Sequence, residues 1–568
     1  MKPDRSGGDV PPPVDQHNLI GPKDTLRFED PFDPSSFLPR PSGGLLLGIP
    51  PPTHLASKDP AYTNINMRLL PTLRGVVKTL VFLDVVLWAQ PAASSALNSS
   101  SSPRLVFAHF ITGLTVNYSR SDWSSQLTLA ASHGIDAFAL NVGLPDEWQL
   151  QQVKSAYESA DAVKTTYGTP FKLFLSLDMS VIQTAEDVTT WVTSFVPLSA
   201  QLLINGRPLV STFSGEANKL GAEDLSSGWQ EALKAPLARG NPPLDALFIP
   251  AWSSLDPSTA VSDNPVVDGI MTWNSWPTGT ENISTLIDHQ FQSNARSSQK
   301  LYMAGVSPCF FTHYKDKNWI YKSDDNLYIN RWMKLISMPD PPDFVQIISW
   351  NDYGESHYVG PRLGTPPADT TWLDGFDHQS WLKMSDYFIK WYKTGARPTI
   401  EEDTVHFNYR PHSINAIASS DTLPAPINAS VSADAVYVAT YLSATSTATQ
   451  LRIRIGDMQQ SFGNITRSEV NTFTAPWNGH TGEVEVALLD STGNELMKRH
   501  GEVPISNEIK TYNFNYAASI LSKSTSDAGP ALLPRDFSLK LTYWHQNSKY
   551  IHTRIMSHSP VNRKEILK

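Results

Sequence analysis

The chain has only one cysteine, Cys309, so it can hold neither an intrachain disulfide nor a metal site built from several cysteines. Charged residues are also scarce, at 18%, and the net charge of -10 leaves no basic surface for a nucleic acid. The lack of disulfides does not exclude secretion, because 568 residues can bury a core that is stable without them.

Several catalytic motifs are missing as well. The sequence has no glycine-rich phosphate loop, no H-E-x-x-H, no C-x-x-C and no convincing G-x-S-x-G elbow. What remains for chemistry is carboxylates, together with 16 tryptophans. Low charge with many aromatic side chains suits a neutral, polar ligand such as a sugar, although a large aromatic core explains most of the tryptophans equally well.

The N-terminal region contains two segments. Residues 1–66 are rich in Pro, Gly, Asp and Ser and show no periodicity, which predicts a disordered extension. Residues 67–96 combine a basic start, an apolar stretch and small residues, as a secretory signal does. The internal position of this signal is explained if Met67 is the true start; the alternative is a buried or mistaken segment of a cytosolic protein. Secretion is weakly supported by N-x-S/T sequons at Asn98, Asn117, Asn282, Asn428 and Asn464.

Eight apolar, strand-like runs follow from residue 104 onward, with helix-compatible sequence in most intervals. Ser121-Asp122-Trp123 predicts a capped helix start and Gly134 its stop, while Ser323–Asn326 predicts another capped start before the last run. The predicted fold class is therefore α/β, with a (β/α)8 barrel over residues 104–412. The eight runs are Leu105–Phe110, Ala137–Val142, Lys172–Asp178, Pro208–Phe213, Ala246–Trp252, Val267–Trp273, Lys300–Val306 and Phe344–Trp350.

The pattern changes from about residue 415. Short strand candidates at roughly ten-residue spacing alternate with Asn-Gly, Thr-Gly and Ser-rich turns, which predicts a C-terminal β-sandwich over residues 415–520. Residues 523–568 are Ser-rich and then basic, and we assign them to neither domain. The predicted strands are Val431–Leu442, Leu451–Ile455, Ser468–Phe473, Glu483–Leu489 and Tyr512–Tyr516.

Polar or aromatic side chains follow each of the eight runs, whereas turn residues lie at the opposite ends. In a barrel these C-terminal ends meet at one mouth, where the chemistry is found. Each residue alone has a simpler explanation as a cap, a turn or part of the core. The residues at the mouth include His109, Asn141, Asp178, Glu216, Trp252, Trp273, Asn274, Asp352 and Glu355.

Carboxylates at a mouth lined with aromatic, His and Asn side chains are what glycoside hydrolysis needs. One carboxylic acid protonates the leaving oxygen, and one carboxylate activates water or attacks the sugar. The competing use is a metal site built from Asp178, Glu216, Asp352 and His357. Because the chain has no local ligand motif, we predict neither a metal nor a cofactor.

Many long segments resemble glycoside hydrolase family 71, the fungal α-1,3-glucanases or mutanases, over about residues 104–520. Among them are Val106–Phe110, Gly134–Asn141, Leu173–Ser180, Pro208–Glu216, Asp268–Pro277, Tyr302–Pro308, Phe311–Tyr314, Lys317–Tyr321 and Ile347–Tyr358. The resemblance implies a catalytic barrel with a β-sandwich and a secreted, wall-active endo-hydrolase that inverts the anomeric carbon of α-1,3-glucan. One departure is Cys309, where an aromatic residue is expected, and this could weaken a surface that stacks on sugar.

The resemblance implicates Asp352, Glu355 and Asp178 in catalysis. We predict Glu355 as the general acid and Asp352 as the base. The two acids of an inverting pair are about 6.5 to 9.5 Å apart, and residues three positions apart in a loop reach that distance only if their side chains diverge. Asp178 is therefore a rival for one of the two roles. The alternatives are a non-catalytic α-glucan-binding wall protein and a barrel hydrolase of another α-glycan. We expect a monomer whose polysaccharide is contacted by His109, Asn141, Glu216, Trp252, Trp273, Asn274, His313, Trp350, Asn351, His357 and Tyr358.

Overall fold

The computed structural model describes residues 104–525, all of which belong to one compact unit. The predicted extension at 1–66, the signal-like segment at 67–96 and residues 526–568 of the unassigned tail lie outside the described residues. Among residues 104–525, no helix is both long and apolar enough to cross a membrane.

Each of the eight predicted runs contains a strand of one curled parallel sheet, and each strand lies beside its neighbour in the sequence. The first strand pairs with the eighth, Leu105 lying opposite Phe344. The fifth and sixth are joined by two backbone hydrogen bonds of 2.8 Å, from Asp268 to Phe248 and from Met271 to Pro250. Numbered along the whole chain, the parallel strands are β1 (Leu105–Ile111), β2 (Ala137–Val142), β3 (Lys172–Asp178), β5 (Arg207–Phe213), β6 (Leu247–Phe248), β7 (Gly269–Thr272), β8 (Leu301–Val306) and β11 (Phe344–Ile347), with the short β4 (Leu203–Ile204) antiparallel to β5.

Side chains along the parallel strands alternate between two cores. On the inner face, the ring of Phe107 packs 5.0 Å from that of Phe174 and 5.4 Å from that of Phe344. On the outer face, Val106 and Phe110 belong to a large cluster that includes the helices. Because the side-chain period of a strand is two, His109 shares the inner face with Phe107.

Helices follow most of the parallel strands, as the repeat predicts. The first is capped by Ser119, whose side chain exchanges hydrogen bonds with Asp122, so the predicted cap at Ser121 is corrected by two residues. Gly134 does adopt the left-handed conformation, with φ of 79°. The start of α7 has no side-chain cap at Asn326, contrary to prediction. The helices are α1 (Arg120–Ser132), α2 (Glu147–Ala160), α3 (Ala185–Phe195), α4 (Leu225–Trp229), α5 (Ala235–Ala238), α6 (Leu286–Ser297), α7 (Leu327–Ile336) and α8 (Gln379–Thr394).

Two four-stranded antiparallel sheets follow α8, in the orders β16-β13-β12-β19 and β15-β14-β17-β18. Apolar side chains of both sheets, such as Val438 and Val486, form one shared core. The strands are β12 (Thr404–Tyr409), β13 (Ala435–Tyr441), β14 (Gln450–Ile455), β15 (Met458–Phe462), β16 (Val470–Pro476), β17 (Val484–Leu489), β18 (Glu495–His500) and β19 (Ala517–Leu521).

The antiparallel sheets begin earlier than expected. β12 lies within the segment 104–412 that was predicted as barrel, yet it pairs with β13 and β19. Tyr512–Tyr516 is not a strand, and β19 follows it directly. Thr404–Tyr409 alternates polar and apolar residues, which is a strand signal that the sequence prediction did not use.

The first antiparallel sheet packs against the parallel part of the chain through α8. Ser380 on α8 donates a 2.9 Å hydrogen bond to the carbonyl of Ser519. Nearby, Arg410 and Asp324 form an ion pair of 3.0 Å whose side chains are 3% and 2% exposed. Breaking one partner of such a pair leaves an uncompensated buried charge, so this contact fixes the two parts firmly together.

Candidate active site

The loop after β11 is the centre of the site. The Oγ of Ser349 accepts a 2.8 Å hydrogen bond from the Asp352 backbone and lies 2.9 Å from Nδ1 of His357. The backbone of Glu355 donates a 3.0 Å bond to Oδ1 of Asp352. Asn351 anchors the loop to the end of β1, because its amide exchanges two hydrogen bonds with the backbone of Ile111. A tight turn therefore holds both acids and the imidazole together.

Both acids lie near His357, and Glu355 also contacts Lys317. Nε2 of His357 donates to Oε2 of Glu355 at 2.7 Å and lies 3.7 Å from Oδ2 of Asp352. The other oxygen of Glu355 accepts a hydrogen bond from the ammonium of Lys317. His357 is fully buried, whereas the acid side chains are 18% and 19% exposed, so the carboxylates face the opening.

These surroundings separate the two protonation states. Burial, together with the Glu355 charge, raises the pKa of Asp352 to about 6. Burial alone would raise the pKa of Glu355 too, but the Lys317 ammonium and the His357 hydrogen bond outweigh it and hold that pKa well below its usual range. One proton on Asp352 beside an ionised Glu355 is the pattern of a carboxyl pair with divided roles.

Asp178, at the end of β3, belongs to the same opening. Burial raises its pKa, while hydrogen bonds from Ser180 and Asn141 and the charge of Lys317 oppose that rise. Ser180 Oγ donates to Asp178 Oδ1 at 2.5 Å. Because one ammonium acts on Asp178, Asp352 and Glu355, the structure brings the three predicted acids together around Lys317.

The rings of His109 and Trp273 are nearly buried beside the acids. Their rings meet edge to face at 4.9 Å, and Phe213 packs 4.9 Å from Trp273 on the other side. Burial and the nearby His357 lower the pKa of His109 to about 3, so its ring is neutral. A neutral imidazole beside indole offers a hydrogen bond and an apolar face, which suits a sugar.

Two further predicted residues lie at the mouth, with different roles. Asn274, after β7, is partly exposed, and within residues 104–525 its amide has no hydrogen-bond partner, so it is free to bind a hydroxyl. Glu216 accepts hydrogen bonds at 3.0 and 2.5 Å from the backbone and side chain of Ser254. Glu216 therefore joins two neighbouring loops of the mouth.

The structure does not place five predicted substrate contacts in the opening. Trp252 is fully buried against Trp229 and Phe248, and Trp350 is buried against Phe138. A side chain without accessible surface cannot stack on a sugar, so the expectation is withdrawn for these rings. Three further side chains are engaged within the protein: Tyr358 stacks on His378, Asn351 binds the Ile111 backbone, and His313 binds Asn318 and Asp421.

Cys309 also lies in the core rather than on a sugar-stacking surface. It is 1% exposed, its thiol donates to the Ser356 carbonyl at 3.2 Å, and burial raises its pKa. The expected weakening of a stacking surface therefore has no structural basis, because Cys309 contacts the loop that carries Asp352 and Glu355 from the core.

Asp352, Glu355 and His357 each offer an atom within 4.8 Å of one another, which is a possible metal-ligand set. The Lys317 ammonium already binds Glu355 and repels a cation at that position. Asp178 and Glu216, the other members of the predicted alternative, are hydrogen-bonded to serines. The donor set therefore fits a metal ion poorly.

Sequence reasoning missed two functional side chains, Lys317 and Ser349. Lys317 lies in the turn of a hairpin formed by β9 (Phe311–His313) and β10 (Asn318–Ile320), far from Glu355 in the sequence. A lone lysine between two aromatic segments carries no local signal for an acid partner. Ser349 lies three residues before Asp352, and its position before a Trp-Asn-Asp sequence was the available clue.

Comparison with known proteins agrees with this chemistry. The sequence profile of glycosyl hydrolase family 71 matches residues 102–529. A glucan endo-1,3-alpha-glucosidase of Schizosaccharomyces pombe is 36% identical, covering 77% of this chain and all of that protein. An ascus wall endo-1,3-alpha-glucanase of the same yeast is 33% identical, with 75% and 100% covered. A mutanase of Penicillium rubens is 35% identical over 63% of this chain and 77% of its own length.

The family match over most of the described residues, together with these relatives, shows that the chain is a glycoside hydrolase. The chain belongs to glycosyl hydrolase family 71.

Proposed function

We propose that this protein is a secreted endo-hydrolase that cleaves α-1,3-glucan with inversion, on a closed (β/α)8 barrel followed by a β-sandwich. The observation that carries the proposal is the pair of carboxyls, Asp352 and Glu355, held in one loop beside His357, with the Lys317 ammonium on Glu355. The names of three relatives, each an α-1,3-glucanase or mutanase, support the substrate.

The protonation pattern favours Asp352 as the general acid, the reverse of the role expected from the sequence. A general acid must hold its proton at the working pH, and a pKa of about 6 meets that need under mildly acidic conditions. Glu355 cannot hold a proton there, because Lys317 and His357 stabilise its charge. In this division Glu355 keeps the proton on Asp352 and faces the positive charge that develops on the sugar.

The short distance between Asp352 and Glu355, together with the position of Asp178 on another strand, supports Asp178 as the base. An inverting pair leaves room for water at about 6.5 to 9.5 Å, but Asp352 and Glu355 have oxygens within 4.8 Å. Asp178 projects from a different strand of the same mouth. Its raised pKa increases its basicity toward water, which suits a general base.

The test uses three variants, Asp352→Asn, Glu355→Gln and Asp178→Asn, on soluble α-1,3-gluco-oligosaccharides. We expect Asp352→Asn to retain cleavage only of glycosides with a good leaving group, and Asp178→Asn to be rescued by azide. Proton NMR of the first product gives the stereochemistry. Azide rescue of Glu355→Gln instead of Asp178→Asn, or a retained anomer, contradicts this division of roles.

The alternatives are tested on insoluble α-1,3-glucan, α-1,4-glucan and β-1,3-glucan. Release of oligosaccharide from the first alone supports the proposal, and release from another α-glycan redirects it. No release with tight binding supports a wall-binding protein, but such a protein has no need for three acids around one ammonium.

A further inference from the structure

The β9–β10 hairpin connects the active site to the antiparallel sheets. Its base is fixed to the catalytic loop, because the Phe311 backbone donates to the Glu355 carbonyl at 3.1 Å and Ser356 Oγ donates to the Phe311 carbonyl at 2.8 Å. Its turn places the Lys317 ammonium on the Glu355 carboxylate and 5.6 Å from the centre of the Trp319 ring. The position of Lys317 is therefore set by the position of this hairpin.

The other side of the hairpin is held by the connection between β12 and β13, residues 410–434. The Ile427 backbone donates to the Asn318 carbonyl and accepts from the Ile320 backbone, both at 3.0 Å. The Asn318 amide donates to the Pro424 carbonyl, also at 3.0 Å. The connection thus adds a short strand-like pairing to the hairpin edge.

His313 and Asp421 are the side-chain part of this contact. Nε2 of His313 lies 2.9 Å from Oδ2 of Asp421, and both side chains are only 7% exposed. Nδ1 of His313 lies 2.7 Å from Oδ1 of Asn318. Asp421 is fixed in turn by the backbone N–H groups of Leu423 and Tyr512, at 2.9 and 2.8 Å.

We propose that His313 and Asp421 form a clamp by which the antiparallel sheets hold the hairpin against the active site. Lys317 is then a positioning residue that keeps Glu355 ionised and leaves the proton on Asp352. This inference rests on the proposed function, because it explains how Asp352 keeps its proton while Glu355 stays ionised. It also gives His313 a role in place of the substrate contact that the sequence suggested.

The charges that face Lys317 come from three parts of the mouth. They are Glu355 and Asp352 on the loop after β11 and Asp178 after β3, and Tyr314 of the hairpin also faces it. An opposite charge in contact lowers a carboxyl pKa by about 1 to 3. Outward displacement of the hairpin weakens the attraction of Lys317 to all three carboxylates at once. We therefore expect such a displacement to shift the whole pH profile of kcat.

The first test changes the ammonium itself. Lys317→Met removes the charge at similar length, and we expect the pH profile of kcat to move upward by about one unit, because each acid loses a partner that lowers its pKa. Lys317→Arg should restore the profile toward that of the wild type. An unshifted profile in Lys317→Met overturns the positioning role.

The second test opens the clamp with Asp421→Asn, and with His313→Gln if the first variant does not fold. We expect kcat to fall about tenfold with KM unchanged, an upward shift of the pH profile, and faster hydrogen exchange in residues 311–320. The control is Glu495→Gln, which breaks an ion pair with Arg452 in the second antiparallel sheet. This control should change neither the profile nor the exchange.

The outcomes separate the clamp from the proposed function. Faster exchange with an unshifted profile makes the contact merely structural and overturns the proposal, as does unchanged exchange. If the wild type releases nothing from α-1,3-glucan, the proposed function fails; the exchange of residues 311–320 in Asp421→Asn and the profile on whichever glycan is cleaved still decide the clamp.

Discussion

Replacing Asp352 with Asn should abolish cleavage of α-1,3-glucan and yet stabilise the protein above neutral pH. The folded protein raises the pKa of Asp352 from 3.8 to about 6, and a difference of about 2.2 corresponds to about 3 kcal/mol of unfolding free energy. Because the pKa is raised on folding, the contribution of the neutral acid is complete below pH 3.8. It is lost as the pH rises through 6. Asn never ionises, so it avoids this loss.

The expected signature is a gain that depends on pH. For about 420 ordered residues the entropy of unfolding is about 0.9 kcal/mol/K, so 3 kcal/mol corresponds to about 3 °C in Tm. We expect Asp352→Asn to melt about 3 °C above the wild type at pH 8 and at the same temperature as the wild type near pH 3.5. Tryptophan fluorescence can follow the melting.

A matched control is Asp263→Asn, which changes an exposed carboxyl outside the mouth. It should leave Tm unchanged at both pH values. Two results would refute the raised pKa of Asp352. One is equal melting temperatures of Asp352→Asn and the wild type at pH 8. The other is an increase in Tm at pH 3.5 as large as that at pH 8.

Three other predictions concern activity and the core. The wild-type kcat/KM should fall with an apparent pKa near 6 and retain about 1% of its maximum at pH 8, and a nitrophenyl leaving group should remove that fall. Asp288→Asn should lower the unfolding free energy by about 3 to 5 kcal/mol, measured in urea, because Arg331 would stay buried without its partner. Trp252→Leu should lower Tm and leave KM unchanged, whereas Asn274→Ala should raise KM; the opposite pattern would return Trp252 to the substrate.

Local patterns were enough to predict the eight parallel strands. Each is a short apolar run between turn signals. A strand that is buried on both faces is apolar along its whole length, so its own sequence predicts it. The run that ends at Ile347 also predicted the acids of the next loop, because barrel strands place chemistry at their C-terminal ends. The alternation of Thr404–Tyr409 also marks β12 as a strand with one apolar face, but only the structure shows that it pairs with β13 and β19 rather than joining the parallel sheet.

The sequence by itself determined the family and the succession of parallel strands, and it predicted the three acids. Only the tertiary structure decided what each mouth residue does. Trp252 and Trp273 both follow parallel strands, yet Trp252 packs on Trp229 and Phe248, whereas Trp273 packs on His109 and Phe213. Lys317 meets Glu355 through a hairpin held by Asp421 from the antiparallel sheets. The burial of a side chain and its charge partner depend on which distant segments of the chain come into contact. The spacing of residues in the sequence does not predict those contacts.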